Sequence, residues 1–363
     1  WGFIINELKE LAPDLPLKWD SDNSGRATQK AAYGLLSRVA LYAEKWDVAA
    51  QAARDCATAE GNLDLSKNGY AKIFELGINS PEVLFAVEFK SSVIDHAYDA
   101  YVRPSGDTKE LGKQVYSGFV PTSELVDSYE MAGDGGNFSW EKHGKDPYAN
   151  REPRFYATIL YNGADWMGRK IESFVGGKDG YKAYENAGAA GTTVTGYYLR
   201  KYLIDGDKTW VTSGSGQDWI VLRYAEVLLN KAEALAMENW NKNSAEALQA
   251  LNDVRARVGL PARATADKET FLEYVRHERK VELAGEGFRY WDLRRWRLAE
   301  KVIDGQNVHG VKISKQSDGS FTYEQVDADG GHKRIFYDRY YRFAIPLSER
   351  SNNSLCTNND GWI

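Results

Sequence analysis

The sequence predicts a mainly α-helical fold, a scaffold of tetratricopeptide-like helix pairs interrupted by irregular loops and short strands. Three observations carry that reading. Ala-rich segments with apolar residues three and four apart occur twice, each followed by a Trp-containing turn and a second such segment. Between them the pattern gives way to short alternating runs set among Gly-rich stretches. Further on, Glu278, Glu282 and Glu286 stand four apart beside Phe271, Tyr274 and Val275, so one helix stripe mixes carboxylates with core residues.

The first pair opens at Gly25-Arg26-Ala27-Thr28, with Thr28 placed as an N-cap. Ala31, Ala32, Leu35, Leu36, Val39, Ala40 and Ala43 follow at helical spacing, then the turn Glu44-Lys45-Trp46-Asp47 and a second helix to about Ala57. The second pair runs from Asp218 through Leu222, Ala225, Leu229, Ala232 and Ala236 to the turn Glu238-Asn239-Trp240-Asn241. Its partner helix spans Ala245 to Val258 and stops at Gly259-Leu260-Pro261, a C-terminal Gly followed by Pro. Alanine at these spacings lets paired helices approach closely, the logic of stacked helical repeats.

The chain is therefore divided into a helical scaffold over about 1–78 and 218–300, a loop-rich ligand region over about 79–217, and a C-terminal hairpin and extended tail over 301–363. In the loop-rich part, Val83 to Val87 and Ala157 to Tyr161 alternate as strands do. Gly133 to Gly136, Gly176-Gly177 and Gly188 to Gly191 punctuate it. His309 to Arg334 reads as a hairpin. Tyr340 to Ile363 reads as extended, with Ile345-Pro346 barring a helix there.

Bulk properties narrow the function. The 363 residues are 43% hydrophobic, enough for a large core. Lys and Arg number 46 against 52 Asp and Glu, a net charge of −6 without a one-sided basic field, which argues against nucleic-acid binding. Two cysteines, Cys56 and Cys356, exclude a disulfide framework. No apolar run reaches the roughly 18–20 residues of a membrane helix. The chain begins in mid-pattern at Phe3-Ile4-Ile5-Asn6-Glu7-Leu8 and reads as a partial chain. Aromatic residues make up 13%, and Trp and Tyr present flat apolar faces with a polar handle, suited to hydroxylated ligands.

Several phrases together resemble the SusD/RagB family of outer-membrane nutrient-binding lipoproteins. They are Gly25-Arg26-Ala27-Thr28, Leu222 to Asn230 with Ala232-Glu233-Ala234, Leu251 to Pro261, Glu278 to Trp296, and Phe343-Ala344-Ile345-Pro346 leading to Asn359-Asp360-Gly361-Trp362. Their order matches the C-terminal two-thirds of that family. The resemblance implies a tetratricopeptide-like scaffold and cell-surface binding of oligosaccharide or polysaccharide. It also implies delivery of the glycan to a TonB-dependent, SusC-like outer-membrane transporter, without catalysis. The lipid anchor it implies, and the first helices, are absent from this sequence.

Two readings compete for the acidic stripe. As a glycoside hydrolase, the protein would use Glu278 and Glu282 as acid and nucleophile. As a scaffold, it would pair them inward with Arg223, Arg255, Arg279, Arg289 or Arg294, since a buried carboxylate stays charged only when paired. The shared face with Phe271, Tyr274 and Val275 favours the second, and Trp291 and Trp296 then read as core. A further alternative is a tetratricopeptide-type scaffold that binds protein on its concave helix face.

Metal and cofactor sites find no pattern. The five His are scattered, Asp327-Ala328-Asp329-Gly330 lacks the other ligands of a calcium loop, and no nucleotide fingerprint is present, so no cofactor or metal is expected. Glycan contacts are instead sought among loop aromatics beside polar groups. Trp166 with Tyr161 and Arg169 fits best, because a Gly-containing turn after a strand should leave Trp166 exposed. Trp140 beside Glu141 and Lys142 follows, then Tyr98 beside Asp95 and Asp99, Tyr101, and Tyr184 beside Asn186.

Overall fold

Two helical hairpins share one Ala-rich seam. The structure, a computed structural model, describes residues 1–186 and 192–362. The Gly188 to Gly191 run lies outside the described residues. Helix α1 (Gly2–Leu11) leads into the first hairpin, α2 (Gln29–Tyr42) and α3 (Trp46–Thr58), and α4 (Gly69–Leu76) follows. The second hairpin is α11 (Tyr224–Arg257), broken into two helices by the extended backbone of Asn239, and α12 (Lys268–Glu282) packs against it. Ala40, Ala49, Ala50, Ala53, Ala225, Ala232 and Ala236 meet in the seam, fully or almost fully buried. A Cβ on Gly34 would stand 2.9 Å from Leu84 Cδ1 and 3.5 Å from Val227 Cγ2, so glycine there lets α2 close on its neighbours.

The chain leaves this scaffold through β1 (Val83–Val87) and returns through β6 (Trp219–Arg223), which pair antiparallel with Val87 opposite Trp219. Asp218 to Arg223 is thus not the opening of a helix, as the sequence reading had it. Ile220 and Leu222 are buried while Trp219 is exposed, a period of two that strand pairing with β1 satisfies. Between β1 and β6 run short elements: α5 (Tyr98–Val102), α6 (Asp107–Leu111), α7 (Ser123–Val126), α8 (Trp140–His143), α9 (Pro153–Thr158) and α10 (Trp210–Ser213). Small sheets join β2 (Ile159–Leu160) to β5 (Tyr198–Leu199) and β3 (Asp165–Trp166) to β4 (Arg169–Lys170). Ala157 and Thr158, expected in a strand, end α9 instead, because Pro153 starts a helical turn that runs up to β2.

Beyond α12 come α13 (Phe288–Arg295), α14 (Ala299–Ile303) and a hairpin of β7 (His309–Lys315) with β8 (Phe321–Asp327), where the sequence placed one. The tail is not wholly extended: α15 (Leu347–Asn352) begins directly after Pro346, whose fixed φ suits a helix entrance. The Asp327 to Gly330 stretch is a turn, with Asp329 accepting from the amides of Val308 and Gly331.

One buried ion-pair network ties the excursion to the scaffold. Arg154, on α9, donates to Glu278 at 2.5 Å, to Glu282 at 2.9 Å and to Glu152 at 2.6 Å. Arg255 on α11 bridges Glu278 and Glu130 at 3.0 and 2.8 Å. Arg223 at the end of β6 holds Glu282, Glu82 and Glu286 at 2.6 to 2.9 Å, and Arg257 also pairs with Glu82 and Glu282. Arg223 and Arg255 are partners the sequence reading named. Arg279 pairs instead with Asp292, Arg294 lies over the Tyr290 ring, and Arg289 makes no ion pair among the described residues. Burial alone would push the Glu282 carboxyl up, but Arg257, Arg223 and Arg154 outweigh it and hold it well below the usual carboxylate range.

Removing one member of such a network leaves its partners charged and unpaired. Arg154→Ala should therefore cost about 3–5 kcal/mol in urea unfolding. Glu282, Glu286 and Asp292 are all held low in the folded protein. As pH falls below the ordinary glutamate value of 4.5, the unfolded chain binds protons first. Unfolding free energy should thus be fully retained above that pH with respect to these groups, and should decline below it as pH approaches their folded-state values. Denaturation followed from pH 7 to pH 3 checks the direction.

Candidate binding surface

Single exposed aromatic rings are ordinary on protein surfaces, so the useful question is which rings the fold both leaves open and holds in place. Helix α5 carries Tyr98 at its start and Tyr101 one turn on. Tyr101 stacks on Tyr116, with centroids 5.1 Å apart and planes at 27°, and the two rings are 47% and 46% exposed. Two backbone bonds fix the pair: the Tyr116 amide donates to Ala100 O and the Gly118 amide to Tyr101 O, both at 2.7 Å. Phe119, a few residues on, is exposed as well.

Tyr98 turns the other way. Its hydroxyl donates to Lys201 O at 2.8 Å, and its ring packs on Tyr202 at 5.8 Å and Trp219 at 6.0 Å. Burial, then the charges of Asp99 and Glu286, push its phenol far above the ordinary tyrosine value, so it is a neutral donor. Trp219 stacks at 4.9 Å and 14° on the buried Tyr202 and keeps an open face. Tyr202 in turn packs on Phe74 at 4.9 Å. Phe74, Tyr70, Tyr202 and Arg200 line a cavity of about 540 Å³ between α4, α9 and the segment after β5, a size that holds small ligands. Arg200 sits there loosely, its contacts to Tyr156 O and Asp205 being 3.5 and 3.9 Å long. The rings of Tyr98, Trp219 and Tyr202 thus form one group beside a cavity with a guanidinium in its wall, and the Tyr101–Tyr116 stack shares helix α5 with Tyr98.

The other residues singled out from sequence lie elsewhere. Trp166 is fully buried, overturning the expectation that its turn exposes it. Its indole donates to Asp107 at 3.0 Å, and the Arg103 guanidinium lies 5.2 Å from the ring. Arg169 is clamped by Asp179 at 2.6 Å and Asp107 at 2.8 Å, which raises its pKa against the opposing effect of burial. A Cβ on Gly106 would stand 2.5 Å from Asp179 Oδ1, so glycine keeps this cluster closed. Tyr161 is half-buried against Tyr148 and Phe155, and burial pushes its phenol up to about 12. Trp140 is half-buried, its indole donating to Asp127 at 2.9 Å. Tyr184 is exposed, beside His332. Tyr98 and Tyr101 share helix α5 with no ring contact between them among the described residues, and Trp140, Trp166 and Tyr184 pack against other partners. Sequence reading missed Tyr116, Trp219, Phe119 and Arg200. Trp219 carried a signal, as the one open position of an alternating strand.

Paired helices as scaffold, a surface carried on a long excursion and an acidic stripe neutralised by arginine define a helical-repeat protein with loop-borne aromatic surfaces. The SusD family model matches residues 81–362. The chain belongs to the SusD family. Over 352 residues, 90% of this chain and 57% of the relative, it is 25% identical to a SusD-like protein of Bacteroides ovatus. It is 32% identical over 133 residues to SusD-like protein P38 of Formosa agariphila, covering 34% of this chain and 25% of that protein. The chain thus spans less than two-thirds of these relatives' lengths. Among solved structures, a SusD-like protein of Bacteroides fragilis superposes with a TM-score of 0.84 at 27% identity, over 99% of this chain and 70% of that one. A SusD-like carbohydrate binding protein of the same species superposes at 0.80 with 25% identity, over 96% and 69%.

Buried and open aromatics should respond oppositely to truncation. Trp166→Ala should destabilise by about 3–5 kcal/mol, while Tyr101→Ala should stay within about 0.5 kcal/mol. Thermal and urea unfolding of the two variants checks this contrast.

Proposed function

We propose that this protein captures an oligosaccharide at the cell surface, without bond chemistry, and passes it to a TonB-dependent, SusC-like transporter in the outer membrane. The observation that carries the reading is the exposed, backbone-fixed stack of Tyr101 on Tyr116. Sugar rings bury their C–H faces on flat apolar surfaces, and a rigid ring loses little entropy on binding. Trp219 supplies a further open face, and Arg200 a donor for hydroxyl oxygens. Membership of the SusD family supports a carbohydrate ligand, as does the carbohydrate-binding relative of known structure. Surface localisation and an N-terminal lipid anchor on the full-length protein belong to the same proposal; among the described residues no helix is long and apolar enough to cross a membrane.

The acidic stripe supports a non-catalytic role. A general acid must hold a proton near neutral pH and reach its substrate. Glu282 is fully buried and held ionised by three arginines, and Glu278 is bonded to two. Tyr116, Trp219 and Arg200 join Tyr98 and Tyr101 in the proposed contact surface. Trp140, Tyr161 and Tyr184 are left out of that surface, and Trp166 and Arg169 are consumed in bonding Asp107 at the start of α6.

Isothermal titration against a panel of oligosaccharides tests the proposal. At least one glycan should bind, and Tyr101→Ala or Tyr116→Ala should weaken it about tenfold, ~1.4 kcal/mol, with the fold intact by circular dichroism. No binding to any glycan, or equal affinity in both variants and the parent protein, would overturn the assignment.

A further inference from the structure

Arginines in this chain are mostly spoken for by carboxylates, and one cavity departs from that habit. It measures about 360 Å³ and lies between the α12–α13 junction, α14 and the segment around α7. Lys280, Arg289, Arg334 and Arg279 line it. Lys280 donates to Glu124 O and Ser128 Oγ, neither of them charged. Among the described residues, Arg334 donates only to the backbone oxygens of Gln306 and Val302. Arg289, half-buried, makes no hydrogen bond or ion pair among the described residues. Arg279, 98% buried, is neutralised by Asp292, yet its Nη2 has no hydrogen-bond partner.

The surrounding acids are engaged elsewhere. Glu124, the carboxylate in the lining, is held by the ring and amide of His309 at 2.5 and 3.1 Å. Asp127, near Lys280, accepts from the Trp140 indole. Asp292 and Glu273 act on Arg289 at longer range, but Asp292 bonds Arg279 and Arg295, and Glu273 bonds Arg276. Burial and then the charge of Arg289 push the Lys280 ammonium down to about 8, against the opposing charges of Glu124 and Asp127. A chain with a net charge of −6 has no need of a loose cationic cavity for solubility.

We propose that this cavity binds an oxyanion, with Arg289 and Lys280 as its direct ligands and Arg334 at its side. The chemistry it fits is a sulfate, phosphate or carboxylate group, free or carried on a sugar. Guanidinium forks and an ammonium recognise such oxygens through charge-assisted hydrogen bonds. The site is separate from the Tyr101–Tyr116 surface and stands whether or not that surface binds glycan.

Titration at constant ionic strength with chloride as background tests it, using inorganic sulfate, inorganic phosphate, glucuronate, and galactose 6-sulfate against galactose. At least one anion should bind saturably, and galactose should not bind here. Arg289→Gln with Lys280→Met should weaken that binding at least tenfold, while Arg297→Gln, at an exposed cation, should leave it unchanged. Binding of galactose 6-sulfate but not inorganic sulfate would assign the site to a sugar substituent. Binding of both would assign it to the anion itself. Circular dichroism and urea unfolding of the double variant separate lost ligands from lost fold, and a selenate soak of the unsubstituted protein, read by anomalous scattering, gives an independent measurement. Absence of saturable binding by every anion, binding unaltered in a folded double variant, or no selenate in the cavity of a crystal whose protein binds sulfate would overturn the proposal.

Discussion

Arg154 is the residue on which the two halves of this architecture depend. Its guanidinium reaches from α9, in the excursion, to Glu278 and Glu282 on the last long scaffold helix. Three carboxylates share it, and each is also tied to another arginine or to backbone. The arrangement is all or nothing. A buried ion pair contributes little beyond its own desolvation cost, but an incomplete one leaves a bare charge in low dielectric. What the network supplies is register: α9 can sit against α12 only where the guanidinium meets both carboxylates.

With its base fixed in that way, the excursion can leave aromatic faces open. The relevant rings are held in place by different means. Tyr98 is held by Lys201 O, Trp219 by its stack on Tyr202, and the Tyr101–Tyr116 pair by the amides of Tyr116 and Gly118. Rigid rings with one open side lose little freedom when a ligand covers them. Trp166 shows the opposite outcome in the same region, with both faces and its indole nitrogen consumed by packing.

The elements legible in the sequence are those set by local pattern. Both Trp-turn hairpins, the strand Val83 to Val87 and the hairpin after His309 follow from spacing that a single segment carries. The inward role of Glu278 and Glu282 was legible too, since apolar neighbours shared their stripe. Their chief partner was not, because Arg154 lies more than 120 positions away in sequence. Trp166 was misjudged for the same reason: Asp107 and Arg103, which enclose it, come from another loop. The stretch Asp218 to Arg223 reads as a helix start by composition and becomes a strand only because β1 waits beside it. Tyr116 gave no signal, since exposure of a loop aromatic is decided by what fails to cover it.

The pairing of β1 with β6 has an evolutionary consequence. The excursion departs and returns at one doorway, across a single pair of strands, so its ends stay together whatever happens between them. The entropy of closing a loop rises only slowly with its length, so lengthening or exchanging the intervening chain scarcely taxes the helices below. Much of this cassette can therefore change without rebuilding the helices, provided the groups that meet the scaffold are kept. What the scaffold demands of it is a matched set of charges: Arg154 for Glu278 and Glu282, Glu130 for Arg255, and Lys201 for Glu286.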